Sequence, residues 1–561
     1  MRSRHLFPFL AWPRPTPASL RHDLVAGLTV ALVAVPQSLA YAQLAGVPLE
    51  YGLYAAFVPA AVGVLFGSSA ILSTGPVALT SLLTAASVAA LVPQGGPTFY
   101  AYVTLLALLS GLFQLGFGLA RAGFLLSLVS YPVLMGFINA AALIIAMAQL
   151  PALLGISMVA TESLVLDTWH VLARLPATDP MSVALGGGAM AMFLAFRRFA
   201  PALPGILITA AILTWVSYAT GFAAHGGKVV GGIPAGLPAF AVPLLGWNAI
   251  AALLPAAFVV ALLSFMEAMS SAKVIAQKTR TRWDENQELI GQGLAKIAAA
   301  FCQSMPVSGS FSRSALNLAA HAKTGWSALV GVAFVLLTLL YLTPLLYHLP
   351  KPVLAAMIML AVFNLIDVGA LRRAWLASRE DGIAGTATFV ATLAFAPYIQ
   401  NGILVGIFIS LAAFLYGRMR PRVQRMAVAP GGTLVEAAAT AVEGGRSIAA
   451  LRFDASLYFA NVSFFEDAVL ALGRDNPALS FVLVDASAIN YIDASGIEIL
   501  ARIAENLRQR GITLVLSGVK EQVLRVARRT GLVATLGADN VFASEQAAVD
   551  SVRSRAPDAR A

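Results

Sequence analysis

Apolar residues fall in repeated blocks along most of the chain, among them Leu24 to Ala42, Tyr102 to Leu119 and Leu329 to Leu346, with short Gly-, Pro- and charge-bearing stretches between them. Each block approaches the roughly 20 residues that a helix needs to cross hydrocarbon. The pattern predicts fourteen crossings in two sets of seven. The first set is 23–43, 52–68, 76–93, 101–120, 128–150, 182–197 and 202–221; the second is 250–274, 288–304, 312–321, 326–347, 352–368, 382–398 and 402–419. Beyond Arg425 the blocks stop. From Ser447 onward, strand-like runs (Ile448 to Phe453, Phe481 to Val484, Thr513 to Leu516) alternate with helical ones (Phe464 to Leu472, Ile497 to Gln509, Lys520 to Arg529), the mark of a small α/β domain. The expected organisation is an N-terminal segment 1–22, a transmembrane domain 23–420, a linker 421–446, the α/β domain 447–555 and a tail 556–561.

Composition narrows the class. Hydrophobic residues make up 59% of the 561 positions and charged residues 11%, and mean hydropathy is +0.80, which excludes a water-soluble globule. The net charge of +10 does not point to nucleic acid, because the basic residues sit in short turns between spans and at the ends of the hydrophobic region. Arg2, Arg4, Arg14 and Arg21 precede the first span, and Arg418, Arg420, Arg422 and Arg425 follow the last. Fourteen crossings put Arg121, Arg197, Arg198, the Lys273 to Arg282 cluster, Lys323, Arg372 and Arg373 on that same side. The opposite loops hold only Arg174, Lys228 and Lys351. By the positive-inside rule both termini and the α/β domain are expected in the cytoplasm, with the spans in the inner (plasma) membrane. No cleavable signal is evident, since the first apolar run follows a Pro-rich segment (Trp12, Pro13, Pro15, Pro17) and lacks a small-residue cleavage pattern. One cysteine, Cys302, leaves no disulfide framework and no cysteine metal site; no metal, cofactor or enzymatic constellation is expected.

Two predicted spans are unusual. Polar or Gly/Pro-rich stretches precede 76–93 (Gly67-Ser68-Ser69 to Ser73-Thr74-Gly75-Pro76) and 312–321 (Pro306-Val307-Ser308-Gly309-Ser310). Both are third in their set of seven, and an odd number of spans per set makes the two halves inverted. Interrupted segments at matching places in two halves point to a transporter site built where half-helices begin near the bilayer midplane. Free amides and positive dipole ends at such starts attract anions. The second break continues as Ser310-Phe311-Ser312-Arg313-Ser314, adding hydroxyls and a permanently charged guanidinium. Arg313 is therefore the leading candidate, against an internal ion pair or a snorkelling arginine. Glu267, deep in an apolar run, is either a proton carrier or a fixed counter-ion for Arg313. Gln37 and Tyr41, one turn apart in the first span, share a face as ligand donors or as interhelical glue.

At these residues the chain resembles the SulP (sulfate permease) family of anion transporters, whose animal members include anion exchangers related to prestin. The resemblance rests on Val35-Pro36-Gln37-Ser38-Leu39-Ala40-Tyr41-Ala42, Gly46-Val47-Pro48, Tyr51-Gly52-Leu53-Tyr54, Thr74-Gly75-Pro76-Val77-Ala78, Asn286-Gln287-Glu288-Leu289 with Gly291 and Gly293, and Ser308 to Asn317. It implies a uracil-permease-like fold: a seven-plus-seven inverted repeat with two half-helices, in which a core domain moves past a gate domain. By matching motif, the anion site would comprise Gln37, Tyr41, Val77, Ala78, Ser312 and Arg313, with Glu267 at the position associated with cation or proton coupling. Lys296 departs from the family, where Asn is common. Through Leu457-Tyr458-Phe459-Ala460-Asn461 and Asp493-Ala494-Ser495-Gly496 the α/β domain resembles the STAS module, a regulatory or partner-docking domain. Ser495 matches the serine phosphorylated in bacterial antagonists; as a plain helix cap it would have no such role. The resemblance also implies homodimers.

The expected function is secondary active transport of sulfate by proton symport. Alternatives are sodium-dependent bicarbonate transport, proton-coupled dicarboxylate transport, a passive anion channel, or a membrane anchor for a signalling domain.

Overall fold

A computed structural model describes residues 7–124, 129–156, 164–200, 203–243, 246–363, 365–396, 398–428, 433–436, 447–475 and 478–556. The first residues of two expected spans (128 and 202), most of the tail (557–561) and the later part of the linker (437–446) lie outside them. The chain forms two compact units, residues 1–410 and 411–561.

In the first unit the expected blocks are helices: α1 Pro17–Ala45, α2 Leu49–Ala55 continued by α3 Val58–Phe66, α4 Ala78–Ala89, α5 Pro97–Leu119, α6 Tyr131–Leu154, α7 Leu164–Ala173, α8 Pro180–Phe199 and α9 Gly205–Ala219. The second half repeats the series as α10 Trp247–Thr279, α11 Glu285–Phe301, α12 Phe311–Ala319, α13 Trp326–Leu337, α14 Lys351–Phe363, α15 Val368–Ala377, α16 Arg379–Ala394 and α17 Ile399–Met419. All fourteen crossings have their counterpart. Among the described residues, nine helices are long and apolar enough to span by themselves, while α4 and α9 are shorter apolar helices.

Two features differ from expectation. α7 and α15 are additional short helices, and α1 starts at Pro17 inside the expected N-terminal segment, because Thr16 caps it with its own hydroxyl. Each half-helix is preceded by a three-residue strand, β1 Ser73–Gly75 and β2 Ser308–Ser310, and the two pair antiparallel with Ser73 opposite Ser310 and Gly75 opposite Ser308. Backbone that leaves a helix inside a membrane must find its hydrogen bonds within the protein. Here the two interruptions satisfy one another.

Helix packing sorts the unit into two bundles. α5 and α11 pack closely because glycines face each other: a Cβ on Gly111 would stand 2.8 Å from the Gly293 carbonyl, and one on Gly293 would stand 2.6 Å from the Leu115 amide. α3, α10 and α13 join that bundle, and α6, α8, α14 and α16 pack mainly on one another. α1 runs between them and packs on α4 and α12, on α13 and on α14.

The second unit holds one five-stranded sheet in the order β4-β3-β5-β6-β7: β3 Val423–Val428, β4 Leu434–Glu436, β5 Ile448–Phe453, β6 Phe481–Asp485 and β7 Thr513–Ser517. β5, β6 and β7 are parallel; β3 and β4 are antiparallel. The segment expected as a linker, 421–446, thus contributes two strands. β3 shows no clean alternation because both its faces are partly buried, Val423 packing on one layer and Met426 and Val428 on the other, and the edge of the sheet is the three-residue β4. Side chains of β5 to β7 alternate between two layers. Leu451, Phe453, Val482, Val484, Leu514 and Leu516 pack with α18 (Val462–Asp475) and α19 (Ala494–Gln509). Ala450, Phe481, Leu483 and Val515 pack on a C-terminal helix, Glu545–Arg555.

Candidate anion site

The starts of the two half-helices meet, and Arg313 joins them. On α12 it is only 2% exposed. Its Nη1 donates to the Pro76 carbonyl at 2.9 Å and its Nε to Ser73 Oγ at 3.3 Å, so the guanidinium is fixed on the segment that opens α4. Nη2 is buried without a partner. It lies beside Gly75, where a Cβ would stand 3.0 Å away, and any side chain there would displace it. Arg313 is neither a snorkelling residue nor half of an ion pair: among the described residues no carboxylate lies within salt-bridge distance of it.

The two N-termini offer different donors. α4 begins after Val77, whose extended backbone (φ −139) carries no side-chain oxygen to cap the helix, so its first amides are unspent. α12 begins after Ser310, whose Oγ accepts from the Arg313 amide at 3.4 Å.

A cleft of about 360 Å³ lies between α1 and α12 on one side and α8, α9 and α14 on the other. Gln37, Ser312 and Arg313 line it, with Phe193, Arg197 and Ile206 opposite. Gln37 Oε1 is buried without a partner. Three of the six expected anion-binding residues therefore share this cleft. Tyr41, Val77 and Ala78 are buried and do not line it; Tyr41 has Arg313 and Glu267 as its charged neighbours. Arg313 also borders a smaller cavity of about 40 Å³ with Gly75, Asn317 and Ser327.

Glu267, on α10, is half-buried, and its Oε2 is enclosed without a hydrogen-bond partner. Arg313 and Lys296 are the cations whose field reaches it, neither in salt-bridge contact, so the fixed counter-ion arrangement is not seen. Sequence reasoning missed the pairing of β1 with β2 and the Pro76 carbonyl as the anchor of Arg313. The paired Ser/Gly/Thr composition of 73–75 and 308–310 is the signal that marked the place without giving the contact.

In the second unit Ser495 is the second residue of α19, half-buried. The helix cap is Asp493, whose carboxylate accepts from the amides of Gly496 at 2.8 Å and Phe459 at 3.0 Å. The cap reading of Ser495 is corrected accordingly. A phosphate on Ser495 would meet the Asp493 charge already at that helix start.

Residues 20–388 match the Sulfate permease family and residues 439–548 the STAS domain. The chain is 32% identical to "Probable sulfate transporter 4.2" of Arabidopsis thaliana over 96% of its own length and 82% of that protein. It is 30% identical to "Probable sulfate transporter Rv1739c" of Mycobacterium tuberculosis, covering 96% of each. Among solved structures, SLC26A9 superposes with a TM-score of 0.90 at 22% identity, over 99% of this chain and 94% of that one. The transmembrane domain of the cyanobacterial bicarbonate transporter BicA superposes at 0.59 with 24% identity, over 71% and 99%. With the family match running through both half-helices and the fold shared along nearly the whole length, this chain belongs to the sulfate permease family and is an anion transporter, not an enzyme.

Proposed function

We propose that the protein is a secondary transporter of sulfate, taking up one dianion together with a proton that Glu267 carries. The observation that bears this reading is Arg313, a buried cation fixed across both half-helix starts with one donor free. A tetrahedral dianion in the cleft offers oxygens for the guanidinium, the Ser312 hydroxyl and the Gln37 amide at once, and the uncapped start of α4, joined to Arg313 through the Pro76 carbonyl, adds its positive dipole end. The names borne by the curated relatives favour sulfate over the bicarbonate carried by BicA.

Alternating access follows from the two bundles, since the cleft separates α1 and α12 from α8, α9 and α14. Thr29 and Arg197 line it near the start of α1 and the end of α8, and basic-residue counting puts those ends in the cytoplasm, with both termini. This conformer is then open inward. The second unit serves regulation or partner docking.

Labelled-sulfate uptake into proteoliposomes at two external pH values tests the reading. With Glu267 as carrier, wild-type uptake rises as the external side is acidified, and Glu267→Gln retains sulfate binding but loses the pH dependence. Full pH-driven uptake by Glu267→Gln would sink the coupling assignment.

A further inference from the structure

Lys296 is a second cationic side chain that the membrane unit keeps from solvent: on α11, it is 0% exposed. Its ammonium donates to Gln114 Oε1 at 2.8 Å. Gln114, equally buried, turns its amide to α10, donating to the Ala261 carbonyl at 2.7 Å and to Ser264 Oγ at 3.0 Å. The Ser264 carbonyl accepts from Ser308 Oγ at 2.6 Å, at the first residue of β2. This chain of contacts holds Lys296 to the turn of α10 that precedes Glu267 and to the strand that opens α12. No carboxylate among the described residues is in salt-bridge contact with Lys296. Glu267 is the acid whose field reaches it, and Arg313 and Tyr41 are the other ionisable groups facing Glu267.

An ammonium held out of water by a single amide dipole is costly, and such charges persist in membranes where they are used. With Glu267 ionised, Lys296, Arg313 and Glu267 sum to one positive charge, which a monovalent anion cancels. With Glu267 protonated they sum to two, which a dianion cancels. A neutral loaded site is the one that crosses a low-dielectric core at least cost.

We infer that Lys296 is a specificity-determining second cation, which fits the site to dianions over monovalent anions through its field on the Arg313 and Glu267 region. It does not touch the ligand; it acts from behind α10. The inference rests on the anion reading above, and the only bond made and broken in the accompanying step is the O–H of Glu267, its proton taken from water on one side and released on the other.

The test uses the full chain, purified, with sulfate and chloride as probes in binding titrations. Lys296→Met should weaken sulfate by at least about tenfold and chloride by only the square root of that factor, about threefold, because the field acts on two charges in one and on one in the other; Lys296→Arg should restore the sulfate preference. Because Lys296→Met strands the Gln114 oxygen, Lys296→Met/Gln114→Met is measured beside it and should show the same selective loss. Loss of both anions by the same factor, or undiminished sulfate preference in both Met variants, overturns the inference. The proton claim fails separately: pH-independent sulfate uptake by the wild type removes symport, while the sulfate-to-chloride ratio of the variants still decides the role of Lys296.

Discussion

The half-helices α4 and α12 occupy matching places in the two halves and meet at their starts, yet they are built from different chemistry. α4 is uncapped, and every side chain from Ala78 to Val88 is buried. α12 is capped by its own serine, carries a cation in its first turn and leaves Phe311 and Ser312 exposed. One contributes unspent backbone donors held rigidly in a packed bundle; the other contributes a charge anchored on its partner. The charged helix depends on the apolar one, because Arg313 is aimed by the Pro76 carbonyl and the Ser73 hydroxyl rather than by anything on α12. On the proposed reading, the inverted repeat divides a single task, with polarity from one copy and sign from the other.

The largest break in this division is Arg313→Ala. It removes the charge and both anchoring bonds, and truncating one side of a buried charge–ligand contact costs about 2–5 kcal/mol. Sulfate affinity should therefore fall by at least about 30-fold in equilibrium titrations. Arg313→Lys should lie between, since an ammonium keeps the charge but cannot reach both the carbonyl and the ligand in the guanidinium's fork. Unchanged sulfate binding in Arg313→Ala would refute the anion site at this position.

A smaller and sharper break makes the two half-helices alike. Val77→Thr keeps the side-chain shape and places a hydroxyl where it can accept from the α4 amides. A cap of this kind stabilises a helix by about 1 kcal/mol. If those amides hold the anion, stability should rise while sulfate affinity drops by roughly fivefold, the equivalent of about 1 kcal/mol of competition. Thermal unfolding and titration on one sample separate the two effects. A stabilised variant with wild-type affinity would leave α4 as scaffold alone.

Much of this comparison was legible in the sequence, for physical reasons that also mark its limits. Fourteen crossings could be read because a lipid-facing or buried helix must be apolar over a fixed length, whatever its neighbours. The half-helices were legible because Gly75, Pro76 and Gly309 cannot continue a helix cheaply. Arg313 was legible because few charges lie in apolar surroundings. The pairing of β1 with β2 was not, since three-residue strands carry no periodicity and their partner lies more than two hundred residues away. β3 and β4 were lost in an expected linker for a related reason: β4 is a three-residue edge strand and β3 is partly buried on both faces, so neither carries a readable alternation. Lys296 stood out as a lone charge, but its tie to Gln114 connects two helices 182 positions apart, and nothing local foretells it.

The smallest expected effect bears on how α12 holds its charge. Ser310→Ala deletes the cap of a nine-residue helix, at a cost of about 1 kcal/mol in the usual case. The bond here is long, 3.4 Å to the Arg313 amide, which puts this position at the lower end of that range. The guanidinium is held from α4's side, by Pro76 and Ser73, so its aim should survive the loss. Ser310→Ala is therefore expected to lower the unfolding temperature slightly while changing sulfate affinity less than about twofold. Ser73→Ala, which removes one anchor and leaves the cap, should do the reverse: little change in unfolding, a severalfold weaker sulfate. If instead Ser310→Ala weakened binding more than Ser73→Ala, the charge would be positioned from its own helix, and the dependence of α12 on α4 would be wrong.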